Sequence, residues 1–159
     1  FLQERVAGDR LSSRRDAGAR MIFVNLPVQD LGRARAFNES LGFVNNPQFS
    51  DETAACMVWS EAIFVMILTH AKWTSFTKRP ISDRGSSEVA LCLTLDSREE
   101  VNALIAAGAS AGGQRDINPP EEHGFMMTRS LLDPDGHVWE LTWMDPAFAA
   151  GETPIEAVA

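Results

Sequence analysis

Asp133-Pro134-Asp135-Gly136-His137-Val138-Trp139-Glu140-Leu141 is the stretch that decides the fold. Proline fixes the first central position of a type I turn, glycine closes it, and the residues after Gly136 alternate as a strand does. Trp139 and Leu141 then share one face and Glu140 takes the other. A carboxylate on the face opposite a packed tryptophan is a candidate ligand or base. On an isolated strand it would more often simply meet water.

The rest of the chain repeats one unit twice. In the first half Ile22, Val24, Leu26 and Val28 alternate with Phe23, Asn25 and Pro27, which predicts a strand. Asp30 is placed to cap a helix carrying Leu31, Ala34, Phe37, Asn38 and Leu41 at helical spacing, and Gly42 stands at its left-handed end. Three short strands are expected at Phe43 to Ser50, Ala54 to Ser60 and Ala62 to His70. In the second half Val89, Leu91, Leu93 and Leu95 oppose Glu88, Ala90, Cys92 and Thr94, and Ser97 to Glu100 reads as a capping box. Strands around Gln114 to Ile117, Phe125 to Leu132 and His137 to Trp143 complete the repeat. The expected class is α+β: two βαβββ modules form a curved mixed sheet around a cleft, with helices on the outer face.

This periodicity divides the chain into an extension at 1–20, a body at 21–145 and a tail at 146–159. Within the body, module one is 21–70, a connector with a short helix near Trp73 to Lys78 is 71–87, and module two is 88–145. Residues 1–20 hold five arginines against three acids, so with a net charge of −8 for all 159 residues the remainder carries −10. An acidic body disfavours nucleic acid, whose phosphates need a basic surface, and favours neutral or cationic small ligands. No apolar run is long enough for a membrane span and no secretory signal is recognised, so a cytoplasmic protein is expected. Cys56 and Cys92 are too isolated for a disulfide framework or a zinc knuckle and read as reduced thiols.

Strand parity puts Phe23, Asn25, Phe64, Met66 and Leu68 on the open face of the first module, and Glu88, Cys92, Thr94, Glu140 and Thr142 on that of the second. One wall is apolar and the other acidic. Glu140 and Glu88 are the candidate catalytic groups, since crowded carboxylates can push one pKa upward. Two solvated acids on an open face are about as well supported. Arg129 is a candidate counter-charge, although Phe125 to Leu132 shows no clean alternation. His70 follows the parity of Phe64 to Leu68 toward the rim, His123 lies in a polar loop, and His137 falls on the packing side with Trp139. Met66, Met126 and Met127 could mould to an apolar ligand, with core filling the commoner role.

Paired βαβββ units, the segment Val28-Gln-Asp-Leu-Gly-Arg-Ala-Arg-Ala-Phe-Asn-Glu-Ser-Leu-Gly-Phe43 and the closing Asp-Pro-Asp-Gly-His-Val-Trp-Glu resemble the vicinal oxygen chelate superfamily over Met21 to Asp145. That superfamily includes glyoxalase I, bleomycin-resistance proteins, fosfomycin-resistance enzymes and extradiol dioxygenases. The resemblance is strongest to small bacterial glyoxalase-like proteins. It implies four metal slots, which fall here on Phe23, Met66, Glu88 and Glu140. Glu140 matches the usual glutamate and Glu88 stands where histidine is more usual. Two carboxylates imply at most a weakly bound divalent metal, otherwise no cofactor. Asn38 replaces a common tyrosine, and the chain contains no tyrosine at all, so a tyrosine acid or base is excluded. The resemblance therefore implies either a lyase of the lactoylglutathione lyase type with a degenerate metal site, or a metal-independent binding protein of the bleomycin-resistance kind, with a homodimer suiting the latter. In the second reading Phe23, Asn25, Phe64, Met66, Leu68, Cys92 and Arg129 line the ligand site with the two glutamates.

Overall fold

The computed structural model describes residues 20–151, so the expected extension at 1–20 and most of the expected tail lie outside the described residues. Module one runs β1 (Ile22–Val28), α1 (Leu31–Ser40), β2 (Val44–Asn46), β3 (Ala54–Val58) and β4 (Ile63–Thr69). Module two runs β5 (Ala90–Leu95), α3 (Arg98–Ser110), β6 (Gln114–Arg115), β7 (Glu121–Glu122), β8 (Met126–Leu132) and β9 (Val138–Met144). Helix α2 (His70–Phe76) and an irregular connector join them, and α4 (Pro146–Ala149) follows β9.

Each module is a mixed sheet in which the first and last strands pair in parallel across the helix, and the middle strands return antiparallel. The strand orders are β1-β4-β3-β2 and β5-β9-β8-β6, with β7 added against β8. The two expected βαβββ modules thus form two mixed sheets, each with its helix packed on one face. Cross-strand register follows the sequence parity: Phe23 lies beside Phe64 and Asn25 beside Met66, while Cys92 lies beside Glu140 and Glu140 beside Ser130.

Local chemistry starts and stops these helices where the sequence says it should. The Asp30 carboxylate accepts from the Arg33 N–H at 2.9 Å, and Gly42 takes φ +101° just beyond α1. Ser97 accepts from the Glu100 N–H at 3.1 Å, while Glu100 reaches back to the Asp96 N–H at 3.0 Å, a capping box displaced by one residue. The turn that opened the sequence reading closes through Gly136 N–H to the Asp133 carbonyl at 3.1 Å. Asp133 itself is buried and accepts from the N–H groups of Asp135 and His137, both at 2.9 Å, and from the Trp139 indole at 3.1 Å.

Three boundaries differ from the sequence expectation. The strand expected to reach Ser50 stops at Asn46, because Pro47 opens a 3-10 turn capped by the Asn46 side chain. His70 is the first residue of α2, capped by Thr69, and does not continue β4. Glu88 precedes β5, which begins only at Ala90. The short β7 in the loop before β8 carries no apolar alternation and was not expected.

Leu26, Val28, Phe37, Met57 and Ile67 of module one share one buried core with Leu93, Val101, Ile105, Leu131 and Trp139 of module two. Trp139 is fully buried, as its strand parity requires, with its ring edge-on to Phe43 at 5.7 Å between centroids. The modules therefore meet across their helix-bearing sides, and α1 touches α3. Because both helix-bearing sides face that shared core, the two open sheet faces point away from each other within one chain. No described helix is long and apolar enough to cross a membrane.

Candidate functional site on the open sheet faces

On the open face of module one, parallel pairing of β1 with β4 sets Phe23 against Phe64, and their rings stack with centroids 4.6 Å apart and planes 10° from parallel. Phe23 is 48% exposed although it is a large aromatic, and Val44, in the same cross-strand row, is exposed as well. Asn25 and Met66 sit one pleat further along. Leu68, assigned to the same wall by parity, is only 4% exposed at the strand end where the chain turns into α2, so it is part of the packed interior. Cys56 shares this face but is buried, and burial pushes its thiol above the ordinary range, which leaves it protonated and unreactive.

The open face of module two is polar. Cys92, Glu140 and Ser130 lie in one cross-strand row and Thr94, Thr142 and Thr128 in the next. The hydroxyls are linked, with Thr128 Oγ1 2.9 Å from Thr142 Oγ1 and Cys92 Sγ 3.3 Å from the same oxygen. Glu140 lines a hollow of about 380 Å³ with Asn118, Glu121, Met126, Thr128 and Ser130. No described side chain donates to its carboxylate, whose environment is an arc of hydroxyls and a second acid.

The remaining candidates are dispersed. The Glu88 carboxylate accepts from the Ser82 hydroxyl and lines, with Asn25, a different cavity at the module junction. Glu88 and Glu140 thus do not share a hollow. Arg129 is not their counter-charge: pairing opposite Leu141 turns it to the helical side, where Nε and Nη2 bind the Asp116 carboxylate at 3.0 and 2.7 Å and Nη1 donates to Asn102 at 2.9 Å. The Arg129 guanidinium holds the Asp116 carboxyl below its ordinary range. His137 donates through Nε2–H to the Pro27 carbonyl, 2.8 Å away, and so helps join the modules.

A divalent metal does not fit the four expected slots. Phe23 and Met66 offer no donor to a hard cation, and the two glutamates lie in separate cavities. Among the described residues no group of three or more His, Cys, Asp or Glu side chains converges.

Residues 20–60 match the family model of the bleomycin resistance protein-like N-terminal region. Solved structures extend the likeness to the whole fold. One is hypothetical protein SA1046 from S. aureus, with a TM-score of 0.66 and 24% identity over 79% of this chain and 94% of that one. A glyoxalase/bleomycin resistance protein from Albidiferax ferrireducens T118 gives 0.57 and 25% over 76% and 95%. A bleomycin-binding protein complexed with bleomycin gives 0.53 and 22% over 80% and 100%. By fold the chain is similar to the glyoxalase/bleomycin resistance proteins. No curated protein sequence is significantly similar to it. The paired strands β1/β4 and β5/β9 carry the open faces on which the expected metal slots fall, and here those faces carry an aromatic stack on one side and a hydroxyl-lined glutamate on the other.

Proposed function

We propose that the protein binds a small organic molecule without a metal, in the manner of bleomycin-resistance proteins. The Phe23–Phe64 stack at the expected ligand slots is the observation that carries this reading, because an exposed aromatic pair gains by covering a flat apolar body and has nothing to give a metal. Glu140 supplies the second element, an acidic group able to hold a cationic or hydrogen-bond-donating end.

Two walls on opposite-facing sheets make one cleft only if a second copy brings its module-two face over the module-one face of the first. A homodimer supplies that arrangement and covers Phe23 and Val44, which one chain leaves in water. Free Cys56 and Cys92 suit a reducing, cytoplasmic setting.

The test is a thermal-shift screen of cationic aromatic compounds against divalent metals, since a ligand of the folded state raises its melting temperature with concentration. Stabilisation by cationic aromatics, weakened in Glu140→Gln, is expected. Stabilisation by metals alone would contradict the reading and return Glu140 to the role of metal ligand or base in a lyase.

A further inference from the structure

β7 is a strand of two residues, too short to hold a register by its own pairing, yet it forms one edge of the Glu140 hollow. It lies against β8 with Glu121 beside Thr128 and Glu122 beside Met127. On β9, Thr128 pairs in turn with Thr142 and Met127 with Trp143. Successive residues of a strand point to opposite faces. Glu121 therefore extends the hydroxyl row on the open face, while Glu122 falls on the helical side with Trp143.

On that helical side Arg98, the first residue of α3, grips the segment, its own place fixed by the Ser97 cap. Arg98 Nε and Nη2 donate to Glu122 Oε1 at 3.0 and 2.5 Å, and Nη2 also donates to the Gly124 carbonyl at 2.5 Å. The guanidinium lies 4.3 Å from the centre of the Trp143 ring, and the Gly124 N–H closes the network on Glu122 Oε1 at 3.2 Å. A lone exposed ion pair contributes little, but one that also takes a backbone carbonyl and rests on an aromatic ring fixes direction as well as distance. The Arg98 hydrogen bond holds the Glu122 carboxyl below its ordinary range. Glu121 has no such partner among the described residues, since His123 Nε2 stands 3.9 Å away, beyond hydrogen-bond reach. Of the residues lining the hollow, Glu121 and Glu140 carry the charge, and both are acidic.

We propose that Arg98 is a positioning residue for the ligand site: by fixing Glu122 on the helical face of β7 it turns Glu121 into the hollow, where Glu121 joins Glu140 in receiving the cationic end of a small organic ligand. This rests on the reading of the Glu140 hollow as the ligand site. Without the grip β7 samples positions that take Glu121 out of the hollow, and affinity for a cation falls with the fraction of molecules in which Glu121 stays in place.

The probe is 2-naphthylmethylamine, titrated by calorimetry into the full chain, with 2-naphthylmethanol as its uncharged counterpart. Arg98→Gln should weaken binding of the amine about threefold to tenfold and leave that of the alcohol unchanged. Glu121→Gln should weaken the amine by a similar factor in the unaltered protein and by almost nothing in Arg98→Gln, although the two side chains lie on opposite faces of β7. Hydrogen exchange of the His123 amide, which donates to the Met126 carbonyl at 2.9 Å, should speed up in Arg98→Gln. Glu122→Ala should reproduce the Arg98→Gln results, and it decides alone should Arg98→Gln fail to fold. Additive losses from Arg98→Gln and Glu121→Gln, an equal loss for the alcohol, or unchanged amine affinity in Arg98→Gln would overturn the positioning role and leave the hollow as the ligand site. No binding of the amine to the unaltered protein, or binding that Glu140→Gln does not weaken, would remove that reading of the hollow and the positioning role with it.

Discussion

Arg129, expected as a counter-charge to the two glutamates, pairs with Asp116 instead. Their two-point contact, extended to Asn102 on α3, ties the loop after β6 to the helix and to β8. Asp116 is also the one non-glycine residue with positive φ among those described, at 55°, so the pair holds a backbone conformation that isolated residues avoid. Arg129→Met should therefore destabilise the fold by about 1–3 kcal/mol in urea titrations and leave ligand binding on the open faces unchanged. Lost ligand affinity with unaltered stability would put Arg129 back in the site. The pH sign follows from the lowered Asp116 pKa: the pair's contribution is present above the ordinary value of 3.8 and is lost as pH falls through the lower folded-state value. Wild type should thus lose this increment on acidification below that point, whereas Arg129→Met should not. Parity placed Phe23, Asn25, Met66, Cys92 and Glu140 on the open faces, because alternation is a local property. It gave no register for Phe125 to Leu132, where apolar residues occupy both parities and side-chain partners decide the outcome.

At the scale of elements, α1 and α3 were legible because each announces its own ends through a cap and a glycine, whereas α2 was expected a few residues late, near Trp73 to Lys78, and β7 was not expected. β7 is held by pairing with β8, and Glu121 and Glu122 have no periodicity to report. His70 fitted the strand pattern, and the Thr69 side chain, accepting from the Lys72 N–H at 3.2 Å, converts the same residues into a helix start. The end of α3 carries a sharper test. Gly113 N–H donates to the Gly108 carbonyl at 2.9 Å, and a side-chain carbon on Gly113 would lie 2.8 Å from that same carbonyl oxygen and 2.7 Å from the Phe37 ring. Neither neighbour can yield, since one is helix backbone and the other fully buried core. Gly113→Ala should cost about 2–3 kcal/mol by thermal or urea unfolding, overriding the usual gain from replacing glycine. A neutral or stabilising result would mean that the α1–α3 contact is looser than described.

The whole molecule raises the question that a single chain's periodicity leaves unanswered, namely which open face meets which. Sequence parity correctly sorts an apolar face from an acidic one, but the expectation that Phe23, Met66, Glu88 and Glu140 enclose one hollow fails because the modules join through their helical sides. Module packing depends on side chains such as Trp139 and Phe43 meeting across more than ninety positions of sequence, and nothing local encodes it. If a second copy supplies the missing wall, sedimentation should show a dimer, and Phe23→Glu should shift it toward monomer by placing a charge within the apolar contact. A monomeric wild type would remove the composite cleft. The reading as a metal-independent binder is tested most directly by calorimetric titration of a cationic aromatic compound into protein kept in excess chelator. Saturable binding is predicted, unchanged when the chelator is replaced by Mg²⁺ or Mn²⁺ and weakened about tenfold in Glu140→Gln. Binding that disappears in chelator and returns with added metal would contradict it.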